Sequence, residues 1–341
     1  MKNNTTISID LAKEVFQIAV FNRAGKNQLN KEVKAKRMCQ IIAQYPGASI
    51  FMEACGSAHY WARRFTQQGH KVGLVPAHIS AKYRTGNKND KNDAIAIYEA
   101  SKSSQLHCVQ IRTLEQQDIA TLHKYRQGYK KERNQIANRL RGFAREYGVN
   151  FSLGISALRK QVPESLEDAE NELTCIARKI LSELLEQLVH VIELFDKVTK
   201  ELVALTKQIE ACRRLVLMPG IGWLGASMLY AKLGKGEGFR RGRDASASLG
   251  IVPVHSGSGG KVVIGKITKR GDVYLRSLIV NGARTVVINI RDKSDRLSCW
   301  IRELLNRKSF NTTVVAVANK LVRMALAMLK SGQEFRQPVA Q

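Results

Sequence analysis

Hydrophobic spacing divides the chain into stretches of different period. Ile7, Ile9 and Leu11 alternate with polar residues, the period of a half-buried strand. A second extended run covers residues 15–21 and ends at the turn-forming Asn22-Arg23-Ala24-Gly25-Lys26. A short third strand is expected over 29–33, a helix over 35–45 and a compact strand over 48–53. A helix over 58–68 stops at Gly69, a strand over 71–75 stops at Pro76, and a further helix is expected over 90–101.

This order, three strands and then alternating helices and strands, predicts a mixed sheet with helices on both faces. It is the RNase H-like arrangement that RuvC-type nucleases share, although a fold alone assigns no chemistry. Residues 113–147 read as a long basic helix with Leu122, Tyr125, Tyr129, Ile136, Leu140 and Phe143 on one side, and 148–163 as a linker. Leu184, Leu188, Val191, Phe195, Val198, Leu202, Leu205 and Ile209 then alternate steps of four and three, a heptad seam. Its partner is either a second chain, in a coiled coil, or the helix over 113–147 packed antiparallel. Past Arg213 glycine becomes frequent, and good helices are expected over 272–290 and 312–330. The fold class is therefore α/β plus α. A RuvC-like domain occupies 1–150 and carries the basic helix at its end. A coiled-coil helix covers 164–212, and a mainly helical domain covers 213–341.

Charge narrows the choice of partner. The 341 residues hold 55 Lys and Arg against 29 Asp and Glu, a formal +26 with a pI near 10.0. Such a surplus calls for a polyanion. No run of about 18 apolar residues and no signal-peptide pattern is read, which favours nucleic acid over a membrane and a cytoplasmic location. Cys39, Cys55, Cys108, Cys175, Cys212 and Cys299 form no C-x-x-C pair, which argues against zinc and fits reduced thiols.

Four carboxylates carry the candidate chemistry. Asp10 lies within the first strand, where Asp is disfavoured. Glu53 ends the fourth strand after a largely apolar run and is costly to bury unpaired. Asp90 and Asp93 stand three apart at the start of a helix and share a face, although acids also suit a helix N-terminus on their own account. In this topology all four converge, and converging carboxylates repel unless a cation lies between them. Hard oxygen donors select Mg²⁺ or Mn²⁺.

A second feature is the loop Ser256-Gly257-Ser258-Gly259-Gly260-Lys261. Glycine lets the backbone approach phosphate, and a serine there can attack a phosphodiester if a base or metal activates it. Alone, the loop also reads as a solvent-exposed turn. His255 beside it is a candidate for proton transfer, whereas His59 and Trp61 read as packing residues. Met218-Pro219-Gly220-Ile221-Gly222 joins two apolar stretches like a helix-hairpin-helix, with Gly220 and Gly222 offering amides to phosphate. The other reading of that turn is a tight connection between packed helices. Arg240, Arg241, Arg243, Lys261, Lys266, Lys269, Arg270 and Arg276 flank the serine loop. Twelve Lys or Arg stand against four Asp between residues 240 and 296, a one-sided cluster suited to phosphates.

Several long motifs resemble one family. They are Glu53-Ala54-Cys55-Gly56-Ser57-Ala58-His59-Tyr60-Trp61, Gly69-His70-Lys71-Val72, Lys88-Asn89-Asp90-Lys91-Asn92-Asp93-Ala94, Leu249-Gly250-Ile251-Val252-Pro253, and the run from Ile267-Thr268-Lys269-Arg270-Gly271-Asp272 to Val273-Tyr274-Leu275-Arg276. Together they resemble the DEDD transposases of insertion sequences, the IS-one-ten family. The resemblance implies a RuvC-like domain, a coiled coil and a transposase domain, with the carboxylate tetrad on Asp10, Glu53, Asp90 and Asp93. It also implies a catalytic serine that forms a phosphoserine link to DNA. That serine falls on Ser258, but relatives often carry two adjacent serines where this chain has Gly257, so Ser256 is a second candidate. The implied partners are double-stranded DNA at element ends and targets, a structured bridge RNA that guides target choice, and a homodimer or homotetramer. The rival reading is a metal-dependent RuvC-like nuclease, or junction resolvase, that uses water as nucleophile.

Overall fold

Alternation along five strands decides which helices cover which face of the N-terminal sheet. The computed structural model describes residues 5–104, 106–258, 261–291 and 293–336; the side chains of 258, 261 and 262 lie outside that description. Strands β1 (Thr6–Leu11), β2 (Val15–Phe21) and β3 (Asn27–Lys34) precede helix α1 (Ala35–Ile42). Then follow β4 (Ser49–Glu53), α2 (Ala58–Gln67), β5 (Lys71–Val75), the short α3 (Ala77–Ser80), a 3-10 turn over Ala81–Tyr83, and α4 (Asp90–Ser101). The sheet order is β3-β2-β1-β4-β5. The first three strands pair antiparallel, and β1, β4 and β5 pair parallel. One face sets Ile7, Ile9, Ile18, Ile50 and Met52 against Met38, Ile41, Trp61 and Phe65, residues of α1 and α2. On the other face α4 packs Ala94 and Tyr98 on Ala19 and Phe21, and Ile97 and Ala100 on Val75 and Phe51. Ser8 Oγ ties that helix down by donating to the Ala94 carbonyl at 2.6 Å.

Two long helices follow. Helix α5 (Leu114–Arg145) opens with a capping box between Thr113 and Gln116. Helix α6 (Ile155–Glu167) precedes α7 (Cys175–Gln208), capped by Thr174. The heptad residues Leu184, Leu188, Val191, Val198 and Leu202 are buried within the chain. The partner is α5: Ile136, Ala137, Leu140 and Ala144 share a cluster with Ala177, Leu181, Leu184 and Leu188. Near the start of α5, Arg126 donates to Thr199 Oγ1 at 2.7 Å and lies over Phe195. Early residues of one helix thus meet late residues of the other, an antiparallel pair.

Three sequence expectations need correction here. Residues 148–163 are not simply a linker, because Leu158 and Val162 of α6 are fully buried against the helical pair. Tyr125 and Phe143 are exposed rather than on the buried side, since Ala137 and Ala144 fill the seam where the helices approach closely. The third is that a long apolar run does exist, over Phe310–Ser331.

The remaining elements are α8 (Glu210–Val216), α9 (Trp223–Leu233), α10 (Gly242–Ser248), β6 (Pro253–Ser258), β7 (Lys261–Ile267), α11 (Val273–Ile288), α12 (Arg296–Arg307) and α13 (Phe310–Ser331). The helices among them share one core, to which α5 contributes Ile119 and α7 Leu202. Helix α13 is long and apolar enough to cross a membrane by composition alone. Val317, Ala318, Leu321, Val322 and Ala325 are buried in this core, so packing accounts for the apolar run.

Candidate active site

The carboxylates gather at the carboxyl ends of β1 and β4, where parallel strands usually present their ligands. The parallel register pairs Ile9 with Met52, and one further step sets Asp10 beside Glu53. Both alternate onto the face that α4 covers. Asn89 caps α4 by accepting from the Asn92 amide at 2.8 Å. Asp90 and Asp93 therefore stand in its first turn, over the end of β1. Single ligand atoms of Asp10, Asp90 and Asp93 all lie within 4.8 Å of one another. Glu53 stands outside this group of three, but its charge reaches Asp10. The Asp10 carboxyl is pushed up to about 6, first by burial, then by Asp93, Glu53 and Asp90. A cation between these groups relieves both the burial and the repulsion, and the all-oxygen donor set fits a hard divalent ion.

Two polar residues join the cluster without a signal in the sequence. Ser80, buried at the end of α3, donates to Glu53 Oε2 at 2.6 Å. Arg84 forms an ion pair through Nε with Asp93 Oδ1. The left-handed turn at Gly86 (φ +81°) brings the chain back toward α4, where Asn92 Nδ2 donates to the Asn87 carbonyl at 2.8 Å. Only that turn reveals that a cation six residues before Asp90 meets the acid cluster.

The glycine-rich segment is a hairpin rather than an open loop. Strands β6 and β7 pair antiparallel, with Ser256 opposite Val263 and Ser258 opposite Lys261. Ser258 is the last residue of β6; its side chain, that of Lys261, and residues 259–260 lie outside the described residues. His255 and Ser256 are exposed. The base of the hairpin is tightly locked. Thr268 and Lys269 donate their amides to the Val252 and Gly250 carbonyls at 2.9 and 3.1 Å. A Cβ on Gly250 (φ +68°) would lie 2.1 Å from the Arg270 carbonyl, and one on Gly271 (φ +98°) 2.0 Å from that of Ser248. The two C-terminal sequence motifs are thus interlocked backbone to backbone.

The flanking cations differ in what they do. Arg240, Arg241, Arg243, Lys266, Lys269 and Arg270 are exposed. Arg276 is half-buried and donates to the Leu249 carbonyl at 2.8 Å, which bolts α11 to the motif. His78 on α3 is held below its ordinary value, first by burial, then by Arg270 and Lys82. The charge of Arg270 in the basic turn thus reaches the short helix whose Ser80 holds Glu53. The 218–222 turn divides: Gly220 is packed against Gly282 of α11, whereas Gly222 caps α9 and is exposed. His59 and Trp61 do pack: His59 Nδ1 accepts from the Arg112 amide at 3.3 Å, and Trp61 is buried between Phe16 and Phe65.

Comparison with known proteins covers both halves. Residues 7–149 match the DEDD transposase model of IS110, described as "Transposase", and residues 212–298 match "Transposase IS116/IS110/IS902 family". The chain is 35% identical over 337 residues to the "Transposase for insertion sequence element IS1111A" of Coxiella burnetii, covering 98% of this chain and 92% of that protein. It is 35% identical to the "Transposase for insertion sequence element IS1328" of Yersinia enterocolitica over 98% of this chain and 99% of the relative. It is 34% identical to a "Probable family 20 transposase" of Pseudomonas aeruginosa over the same shares. Likeness of this degree along nearly the whole length, with a family match on either side of α6 and α7, makes the chain a member of the IS110/IS116/IS902 family of transposases.

Proposed function

We propose that this transposase cleaves and rejoins DNA through a phosphoserine intermediate on Ser258, with the carboxylate tetrad acting on the same phosphate. The convergence of Asp10, Asp90 and Asp93 carries the reading. In this account residues 1–150 supply the acids, 213–341 the serine, and 164–212 the helix between them. A divalent ion, Mg²⁺ or Mn²⁺, held by Asp10, Glu53, Asp90 and Asp93 would supply Lewis-acid stabilisation of charge on the phosphate.

The chain's own groups do the rest. Ser258 Oγ bonds to phosphorus and loses its proton, while the bond from phosphorus to a deoxyribose oxygen breaks and that oxygen takes up a proton. The phosphoserine conserves the bond energy, so a deoxyribose hydroxyl of another end reverses the step and reseals the strand. Arg240, Arg241, Lys261, Lys266, Lys269 and Arg270 grip phosphates around the scissile bond, and the Gly222 amide adds a neutral contact. Arg276 acts by fixing the motif rather than by touching DNA. The charge of Arg270 reaching His78 on α3 is consistent with joint action by the two regions. A structured bridge RNA directs target choice. A dimer or tetramer brings two duplexes together in the cytoplasm.

The test is to trap a denaturation-resistant protein–DNA adduct on a nicked element end. Wild type forms it, and Ser258→Ala and Asp10→Ala do not. A Ser258→Ala enzyme that recombines at the wild-type rate overturns the serine mechanism and favours hydrolysis by water.

A further inference from the structure

The acid cluster carries its own cation. Pairs such as Lys102–Glu99, Lys179–Glu183 and Arg214–Glu210 are one-turn neighbours on single helices, a type that contributes little. Arg84–Asp93 is different. It joins the loop before α4 to the helix itself, and its side chains are only 25% and 15% exposed. Asp93 is also one of the three residues whose ligand atoms lie within 4.8 Å of each other. A guanidinium there offsets one of four crowded negative charges, and any metal ion must contend with it for Asp93.

We propose that Arg84 is the built-in counter-ion of the carboxylate site: it holds Asp93 until a divalent cation takes over that charge, and so sets how tightly the metal binds. The inference rests on the metal-binding reading given above. It explains how four acids are kept folded together before metal arrives. It also predicts that affinity for metal is lower than the acids alone would give. Removing one positive charge a few ångströms from a divalent ion, in partly screened surroundings, tightens binding by about tenfold.

The experiment is Mn²⁺ titration of the full-length protein without nucleic acid, following free Mn²⁺ by electron paramagnetic resonance. Arg84→Ala and Arg84→Gln should each bind about tenfold more tightly than wild type. Arg84→Lys, which keeps the charge, should stay near wild type, and Asp10→Asn should bind far more weakly. In melting experiments the two neutral variants should start lower without metal and gain more from Mn²⁺ than wild type does. Equal or weaker Mn²⁺ binding by both neutral variants, with Asp10→Asn still impaired, overturns the counter-ion role and leaves the metal site standing. Failure of wild type to bind Mn²⁺ more tightly than Asp10→Asn overturns both.

Discussion

His123 of α5 and Tyr274 of α11 meet through Nδ1 and the phenol oxygen at 3.1 Å, while the other ring nitrogen lies 2.9 Å from Ser227 Oγ on α9. One fully buried imidazole thus pins a helix of the N-terminal family match to two helices of the C-terminal match. Its pKa is lowered to about 4, first by burial and then by Arg126, with Asp272 opposing. The unfolded chain therefore binds more protons between pH 4 and 6.5, so stability rises with pH across that window and is flat above it. The His123 share is on the order of 3 kcal/mol. His59, lowered to about 4 by burial, Arg112 and Arg63, contributes with the same sign. Asp10, raised to about 6, opposes them below that pH, so chemical denaturation at several pH values should show wild type gaining less stability from pH 4 to 6.5 than the two histidines alone would give. His123→Gln should have a shallower slope, not a uniform offset.

Gly220 and Gly282 give a second prediction. A Cβ on Gly282 would stand 2.0 Å from the Gly220 carbonyl oxygen, and one on Gly220 2.5 Å from that of Gly282. Both obstacles are backbone, so neither can rotate away. Gly282→Ala should destabilise by about 3 kcal/mol or more, like other overpacked sites, despite alanine's helix preference. Gly128, also in a helix, has nothing within 4 Å of its added Cβ. Gly128→Ala should stabilise by roughly 0.5–1 kcal/mol. Urea titrations of the two variants read both signs.

The sheet was legible because Ile7, Ile9 and Leu11 alternate with polar residues; Asp10 stood out because Asp is disfavoured in a strand, and Glu53 because it ends a largely apolar run. The heptad from Leu184 to Ile209 revealed a stripe but not its partner, since a repeat of four and three serves a second chain and an internal helix alike. Here the stripe is filled by Ile136, Leu140 and Ala144 of α5. Arg84 and Ser80 were illegible because their roles depend on where a loop turns back, at Gly86, and on how α3 leaves β5. The β6–β7 hairpin hid for another reason: Ser256 to Gly260 has turn composition, and Val263 and Ile264 are exposed, so burial left no alternating pattern to read.

The two candidate nucleophiles are separable. Ser256 faces Val263 within the ladder and Ser258 ends the strand opposite Lys261. Ser258→Cys should form a thiol-linked DNA adduct or none, whereas Ser256→Ala should leave adduct formation within about threefold of wild type, consistent with a loss below 1 kcal/mol. Adduct loss in Ser256→Ala alone, with both proteins equally folded, would reassign the attack to Ser256.

The paired helices divide their charge unequally, and that division predicts where a second nucleic acid lies. Helix α5 bears eight Lys or Arg against three acids, while α7 bears five of each. Lys124, Lys130, Lys131, Arg139 and Arg145 are exposed, with Tyr125 beside them at 54% exposure. An exposed ring on a basic ridge suits base stacking as well as phosphate contact. Structured RNA docked here should release roughly 0.7–0.9 counterions per phosphate contact. The triple variant Lys130→Ala, Lys131→Ala, Arg139→Ala should then lower the slope of log affinity against log salt by about 2 to 3. Tyr125→Ala should weaken binding and leave the slope intact. Since none of these residues belongs to the acid cluster or bonds to it, Mn²⁺ binding should be unchanged in both variants. An unaltered slope in the triple variant would rule out this ridge as an RNA-binding surface, because loss of three genuine phosphate contacts cannot leave the salt dependence untouched.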